Sequence, residues 1–66
     1  MKNTLKVQRA IKDLTQEALA NKIGVSRQTI NSIEKNRYVP STVLALKISE
    51  IFDKSVNEIF ELEQDD

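Results

Sequence analysis

One stretch of the sequence gathers long hydrogen-bonding side chains at a regular spacing. The polar residues that recur along one helical face in this stretch are Arg27, Gln28, Asn31, Ser32 and Lys35. Arginine and amide side chains can each form two hydrogen bonds with a base edge in the major groove of DNA. The chemistry that this face offers is recognition of a polar surface, although an ordinary solvent-exposed helix also carries polar residues.

The segments around this face predict two short helices joined by a tight turn. Apolar residues recur at helical spacing on both sides of the turn: Leu19, Ala20 and Ile23 before it, and Val25, Ile30 and Ile33 after it. Gly24 lies between the two runs, where glycine can adopt the left-handed conformation that reverses a chain. Ser26 then begins the second helix, and the small side chain of Ala20 allows the two helices to cross closely.

This arrangement resembles a known DNA-binding motif. The residues that carry the resemblance are Gln16, Leu19, Ala20, Gly24, Val25, Ser26, Ile30, Ile33 and Glu34. Together they are similar to the helix-turn-helix of phage Cro/C1-type repressors, also called XRE-like, with the motif at residues 16–34. The resemblance covers nearly the whole chain and implies an all-α, five-helix, lambda-repressor-like domain. In that fold one helix precedes the motif and two follow it.

The same resemblance implies roles for three residues outside the polar face. Arg9 matches a family arginine that pairs with the glutamate at the end of the second motif helix, here Glu34; a solvated arginine is the alternative. Gln16 matches a residue that contacts a DNA phosphate, although helix capping would also explain a polar residue there. A partly buried Arg9–Glu34 pair would fix the angle of the second motif helix more than it would add net stability.

Composition limits the classes of function. A chain of 66 residues is near the lower limit for a core without metals or disulfides, and we expect one domain, residues 1–66. The absence of cysteine and histidine removes disulfides, thiolate metal sites and the usual general base. We therefore expect no enzyme activity, no metal and no cofactor.

No apolar run approaches the roughly 20 residues of a membrane span, and no signal-peptide core follows Met1. We expect a cytoplasmic protein with no membrane partner and no small-molecule ligand.

Charge is unevenly distributed along the chain. Residues 1–40 contain eight lysines and arginines and three acidic residues, a net charge of +5. Residues 41–66 contain two lysines and seven acidic residues, a net charge of −5. A basic half that includes the second motif helix would orient the domain on a polyanion such as DNA.

Local signals predict the helices outside the motif and several helix ends. The expected elements are a first helix from Leu5 to Lys12, Thr15 as N-cap of the first motif helix, a fourth helix from its N-cap Ser41 through Phe52, and a short fifth helix that begins at the capping box Ser55-x-x-Glu58. Helices are expected to end at residues that tolerate the left-handed conformation best after glycine: Asp13, Asn36 and Asp53. The fourth helix carries an apolar stripe that we assign to the core: Val43, Leu44, Leu46, Ile48, Ile51 and Phe52.

The two ends of the chain carry short alternating segments, Asn3-Thr4-Leu5 and Glu61-Leu62-Glu63. They predict either a short two-stranded pairing of the termini or a frayed acidic tail.

A homodimer is expected because one reading helix contacts only a few base pairs. A twofold dimer places its reading helices one DNA turn apart, about 34 Å, so the contact surface lies away from the motif. The candidate residues on the C-terminal side are Val39, Ile59, Phe60 and Leu62. Ile59 and Phe60 have the alternative of closing the core of the single chain. Leu62 has no obvious partner within the chain except the N-terminal segment.

The sequence as a whole predicts a transcriptional regulator, a repressor that binds a twofold-symmetric operator in double-stranded DNA. The residues expected to contact bases are Ser26, Arg27, Gln28, Asn31 and Ser32. Those expected to contact phosphates are Gln16, Lys35, Asn36, Arg37 and Tyr38. The alternative is a protein-interaction or antitoxin-like module on the same scaffold that uses the acidic helices.

Overall fold

The computed structural model describes residues 1–66 and consists of five helices and one short sheet. The elements in chain order are β1 (Lys2–Asn3), α1 (Leu5–Ile11), α2 (Gln16–Ile23), α3 (Arg27–Glu34), α4 (Thr42–Phe52), α5 (Val56–Ile59) and β2 (Phe60–Glu61). The predicted five-helix class is confirmed, and α2 and α3 are the two motif helices. None of the helices combines the length and the apolar character needed to cross a bilayer.

Four helices begin at a hydroxyl group that accepts a backbone hydrogen bond. The N-cap residues of α2 to α5 are Thr15, Ser26, Ser41 and Ser55. Each hydroxyl satisfies one of the backbone N–H groups that have no partner in the first turn of a helix. At α5 the capping box is complete, because Glu58 N donates to Ser55 Oγ at 3.2 Å and Ser55 N donates to Glu58 Oε1 at 3.0 Å.

The predicted left-handed residues are confirmed at all four helix ends. Gly24 has a φ of 77°, and Asp13, Asn36 and Asp53 have φ values of 56°, 59° and 51°. A Cβ atom on Gly24 would meet nothing within 4 Å, so its backbone angle rather than space favours glycine there. After the other three residues, the next backbone N–H bonds back to a carbonyl five residues earlier, as in a Schellman motif.

A single apolar cluster holds the elements together and contains no buried polar or charged residue. Its members come from all five helices and β2: Leu5, Leu19, Ala20, Ile23, Ile30, Ile33, Leu44, Ile48, Phe52, Ile59 and Phe60. The stripe on α4 is narrower than predicted, because Val43 and Leu46 are 63% and 52% exposed. A helix that packs on one side only buries one stripe, here Leu44, Ile48 and Phe52.

Of the two alternatives for the termini, the short two-stranded pairing is the one found. Strands β1 and β2 are antiparallel, and Lys2 pairs with Glu61 while Asn3 pairs with Phe60. Both strands therefore lie one residue earlier in the sequence than the alternation indicated. Leu62 follows β2 and is 77% exposed.

Two of the four residues predicted at a contact between chains are instead part of the core. Ile59 and Phe60 are only 2% and 6% exposed. Helix α5 is a single turn, so its last residue and the first residue of β2 must cover the cluster from the C-terminal side. Their burial removes them from the candidate surface, and of the predicted set Val39 and Leu62 remain exposed.

The capping box predicts a dependence of stability on pH. The Ser55 backbone N–H bonds to Glu58 and lowers the pKa of that carboxyl from its ordinary value of 4.5. A group whose pKa is lowered by folding stabilises the fold above its unfolded-state pKa, and this contribution is lost as pH falls through the folded-state pKa. We expect Glu58→Gln to lower the free energy of unfolding at neutral pH, and the difference to disappear as the carboxyl is protonated.

Urea unfolding between neutral pH and roughly pH 3 measures this difference. Glu50→Gln is the matched control, because Glu50 is exposed and its side chain makes no hydrogen bond. A Glu58→Gln deficit that stayed constant at low pH would assign the effect to the shape of the side chain rather than to its charge.

Candidate nucleic-acid interface

Helix α3 presents the predicted polar face to solvent and buries the opposite face. Ile30 and Ile33 belong to the core, whereas Arg27 and Gln28 are exposed. Asn31 and Ser32 are partly exposed. Together with Arg27 and Gln28 they form the polar surface of the helix. The side chains that can hydrogen-bond a base edge are thus available on the outer side of an eight-residue helix.

The loop after α3 brings two more of the predicted residues beside this surface. Arg37 and Tyr38 line an open depression together with Gln28, Thr29 and Ser32. We call this depression the reading groove. It combines helix side chains of the kind that contact bases with loop side chains of the kind that contact phosphates. Lys35 and Asn36 are exposed at the end of α3 but do not line the groove.

The exposed cations of this region have no acidic partner. Arg27, Lys35 and Arg37 form no ion pair, because the ion pairs of the structure involve only Arg9 and the terminal amino group. An unpaired cation on the surface keeps its full attraction for a phosphate group. Unpaired cations of the basic half of the chain therefore lie at the start of α3, at its end and in the loop that follows.

A partly buried ion pair joins α3 to α1, as the family resemblance implied. Arg9 Nε donates to Glu34 Oε2 at 2.6 Å, and Arg9 Nη2 donates to Glu34 Oε1 at 3.1 Å. The two side chains are only 14% and 7% exposed. Arg9 Nη1 also donates to the carbonyl oxygen of Leu14 at 2.9 Å. The guanidinium group therefore joins the first helix, the turn before α2 and the end of α3.

Gln16 extends this ion pair into a network with the polar face. Gln16 Nε2 donates to Glu34 Oε1 at 3.1 Å, and Asn31 Nδ2 lies 3.5 Å from Gln16 Oε1. A carboxylate only accepts hydrogen bonds, so the Glu34 contact determines which end of the Gln16 amide faces Asn31. The sequence suggested a phosphate contact for Gln16. The structure engages its amide within the chain, and the phosphate contact stays a prediction.

Two other predicted contact residues also have structural partners. The Ser26 hydroxyl accepts from Thr29 N at 3.2 Å and lies 3.0 Å from Thr29 Oγ1, so it caps α3. Asn36 Oδ1 accepts a hydrogen bond from Asn3 Nδ2 at 3.0 Å. Contacts of Ser26 and Asn36 with DNA stay predictions, and both side chains already have a role in holding α3 and its C-terminal turn.

A family model described as helix-turn-helix matches residues 5–59, from the start of α1 to the end of α5. The match includes both motif helices, the turn and the residues of the Arg9–Glu34 pair. This chain belongs to the helix-turn-helix family of Cro/C1-type transcriptional regulators.

Similar members of the family occur in archaea and bacteria. An uncharacterized HTH-type transcriptional regulator of Methanocaldococcus jannaschii is 54% identical over 66 residues, which is 100% of both chains. The uncharacterized HTH-type transcriptional regulator YgzD of Bacillus subtilis is 46% identical over 65 residues, 98% of each chain. Among solved structures, the restriction-modification controller protein C.AhdI from Aeromonas hydrophila superposes with a TM-score of 0.76. It has 32% sequence identity over 85% of each chain.

One residue that supports the helix-turn-helix was not identified from the sequence. Asn3 Nδ2 donates to the carbonyl oxygen of Ile33 at 2.9 Å as well as to Asn36 Oδ1. Asn3 Oδ1 accepts from Leu5 N at 3.1 Å, a local bond that asparagine often forms just before a helix. The local bond could have been anticipated from the residue type. The contacts with Ile33 and Asn36, thirty or more residues away, could not.

The ion pair leads to a prediction about stability. Glu34→Ala leaves the guanidinium of Arg9 buried without a counter-charge, and the amide of Gln16 without its acceptor. Removing one partner of a buried pair is strongly destabilising, and we expect a loss of roughly 3 kcal/mol in the free energy of unfolding. Urea unfolding monitored by circular dichroism measures this loss.

The double variant Arg9→Met, Glu34→Leu is the matched control, because it removes both charges and leaves apolar side chains of similar length. It should be more stable than Glu34→Ala, since no charge is left unpaired. Equal stability of the two variants would show that packing, rather than the ion pair, accounts for the loss.

Proposed function

We propose that this regulator is a repressor that binds double-stranded DNA sequence-specifically, as a homodimer on a twofold-symmetric operator. The observation that carries the proposal is the reading groove, where the exposed polar face of α3 adjoins the unpaired cation Arg37 of the following loop. Membership of the helix-turn-helix regulators supports DNA binding. All 66 residues would act as one domain, in the cytoplasm and without a cofactor.

Within α3 the longest exposed side chains are assigned to base recognition. Arg27 and Gln28 begin the helix, and the N-terminal residues of a recognition helix are those that contact base edges in the major groove. Ser26, Asn31 and Ser32 are assigned shorter-range contacts, because they are smaller or partly buried. A bidentate contact of this kind discriminates between bases by roughly 1 to 3 kcal/mol.

The residues around the groove are assigned to the phosphate backbone. Arg37 and Tyr38 lie on its loop side, and the exposed cation Lys35 ends α3. Gln16 and Asn36 complete the proposed set, with the second hydrogen of Gln16 Nε2 and the amide nitrogen of Asn36 as the donors to phosphate. Phosphate contacts fix the position of the protein on the duplex and carry most of the salt dependence of binding.

Two observations support a dimer. Val39 and Leu62 are 65% and 77% exposed; Val39 lines a small cavity with Phe60, and Leu62 follows Phe60 by two residues in the sequence. The longest dimension of the chain is 31 Å, so one copy cannot present a second reading helix about 34 Å away. A standard interface of about 800 Å² per partner would use about a sixth of the 4557 Å² surface.

The base contacts are tested with DNA selected from random duplexes by the purified protein. We expect a twofold-symmetric site, and we expect Arg27→Ala to relax the base preference at one or two positions in each half. Arg37→Ala is the paired variant. It should weaken cognate and unrelated duplexes alike and lower the slope of affinity against salt by about one unit, because it removes one phosphate contact.

Gel shifts over a series of salt concentrations provide both readouts. An unchanged selected site in Arg27→Ala would remove that residue from base recognition. A loss confined to the cognate site in Arg37→Ala would make Arg37 a base reader instead. If no duplex is shifted at low salt, DNA binding itself is refuted, and a protein-interaction module becomes the better description.

The dimer is tested by changing its most exposed candidate residue. Leu62→Glu introduces a charge at the proposed contact without touching the core, so we expect a folded monomer with weakened operator binding. Sedimentation equilibrium measures the association, and gel shifts measure the affinity for the operator.

Leu46→Glu is the matched control, because Leu46 is an exposed leucine on α4 and takes the same change of charge. It should remain dimeric and bind the operator normally. The dimer proposal fails if the unmodified protein is monomeric at the concentrations at which it binds the operator.

A further inference from the structure

The side chain of Asn3 joins the terminal sheet to the end of the recognition helix. Its carbonyl oxygen accepts from Leu5 N at 3.1 Å, and its amide nitrogen donates to the carbonyl oxygen of Ile33 at 2.9 Å and to Asn36 Oδ1 at 3.0 Å. Each of the two amide hydrogens thus has its own acceptor. Ile33 lies in the last turn of α3, and Asn36 lies just beyond it.

The orientation of this amide follows from the chemistry of its partners. A backbone N–H can only donate, and a backbone carbonyl can only accept. If the Asn3 amide were rotated by half a turn, oxygen would face the Ile33 carbonyl and nitrogen would face the Leu5 N–H. Two hydrogen bonds would then become two repulsive contacts, so the arrangement with both donors directed at the end of α3 is the stable one.

The backbone around Asn3 is held from the opposite side. Asn3 pairs with Phe60 in the sheet, and Thr4 N donates to the carbonyl oxygen of Ile59 at 2.8 Å. The segment is therefore anchored to the end of α5 and to β2 before its side chain reaches α3. Movement of β1 relative to β2 would move the two donors that contact α3.

The contacted end of α3 determines where the loop goes. Asn36 is left-handed, with a φ of 59°, and Arg37 N donates to the carbonyl oxygen of Ser32 at 2.9 Å. Asparagine pays a steric cost in this conformation that glycine does not, so a hydrogen bond to its side chain helps to hold the turn. Arg37 and Tyr38, which line the reading groove, leave the helix directly from this turn.

We propose that Asn3 is a positioning residue for DNA binding. By bonding to Ile33 and Asn36 it sets the direction in which the loop leaves α3, and so places Arg37 for its phosphate contact. This inference rests on the proposed DNA-binding function. It adds that the terminal sheet, which lies outside the helix-turn-helix, controls affinity for the DNA backbone.

The test uses Asn3→Ser in the full chain. Serine is neutral and can still accept from the Leu5 N–H as a local turn, but it is too short to reach Ile33 and Asn36. Thr4→Ala is the matched control, because the Thr4 hydroxyl donates to the carbonyl oxygen of Glu58, accepts from Gln8 Nε2 and forms no hydrogen bond with α3. Thermal unfolding identifies conditions in which all variants are fully folded.

Affinity is measured against salt for the selected duplex and for an unrelated duplex, and a double-mutant cycle combines Asn3→Ser with Arg37→Ala. We expect Asn3→Ser to weaken both duplexes by about tenfold, because binding must then order a loop that is already held in place in the unmodified chain. The salt slope should fall by about one unit, and Arg37→Ala should then cause little further loss. Thr4→Ala should bind normally, and the selected base preference should not change in either variant.

Nuclear magnetic resonance of the free proteins gives a readout without DNA. Asn3→Ser should shift the amide resonances of Asn36 and Arg37, while Thr4→Ala should leave them in place. Additive losses in the double-mutant cycle, or normal binding by Asn3→Ser when the unmodified chain binds, would overturn the positioning role alone. Failure of the unmodified chain to bind any duplex would refute the proposed function, and with it a role of Asn3 in DNA binding.

Discussion

The Arg9–Glu34 pair is the constraint on which the orientation of α3 depends. Helix α3 has eight residues, too few to be stable alone, and its outer face must stay free of packing. Ile30 and Ile33 attach it to the core, but apolar contacts are not directional and allow rotation. The two directional hydrogen bonds between Arg9 and Glu34 fix the rotation of α3 on the core. Because Arg9 also donates to Leu14, the guanidinium cannot turn without losing a third hydrogen bond. The desolvation cost of a buried pair offsets much of its attraction, so orientation is its main contribution.

The constraints on α3 are concentrated at its C-terminal end. Glu34 receives Arg9 and Gln16, and Asn3 contacts Ile33 and Asn36 only a few residues away. At the N-terminal end the side-chain hydrogen bonds are those of the Ser26 cap, which follows the turn at Gly24. A helix fixed at one end in this way can extend its other end from the protein surface. In a recognition helix the N-terminal residues contact base edges. The C-terminal end of α3, which is held by these hydrogen bonds, is therefore the end that would not have to enter the major groove of DNA.

Much of the fold could be predicted because its signals are local. Thr15, Ser41 and the Ser55–Glu58 capping box mark helix starts by side-chain chemistry that acts within three residues. Burial depends instead on contacts between distant segments, and here the sequence was less informative. Val43 and Leu46 fit an apolar stripe but face solvent, because nothing packs over that side of α4. In the sequence, Ile59 and Phe60 are apolar residues beyond those that the helix-turn-helix needs for its own core. In the structure they close the core, because α5 is a single turn.

The candidate site also combines features that the sequence predicts with contacts between distant residues that it does not predict. The exposed face of α3 followed from helical periodicity, and the ion pair followed from the family resemblance. The sequence did not indicate that the Gln16 amide would be occupied by Glu34 and Asn31, because either of its ends could have faced a phosphate. In the sequence, Asn3 is recognisable only as part of an alternating segment. Its partners lie 30 and 33 residues away, and the pairing of β1 with β2 determines that they meet.

Asn36 combines a local role, as the left-handed residue after α3, with a hydrogen bond to a distant part of the chain. Helices α1 and α4 end at left-handed Asp13 and Asp53, which avoid the large backbone entropy that glycine has in the unfolded chain. The left-handed conformation costs an L-residue roughly 1 to 2 kcal/mol in general and less for asparagine and aspartate, whereas glycine carries no such cost. At position 36 a hydrogen bond offsets part of this cost, because Asn36 Oδ1 accepts from Asn3 Nδ2. Glycine would form the same turn without that acceptor, and the end of the recognition helix would then lose one of its two hydrogen bonds to the terminal strand.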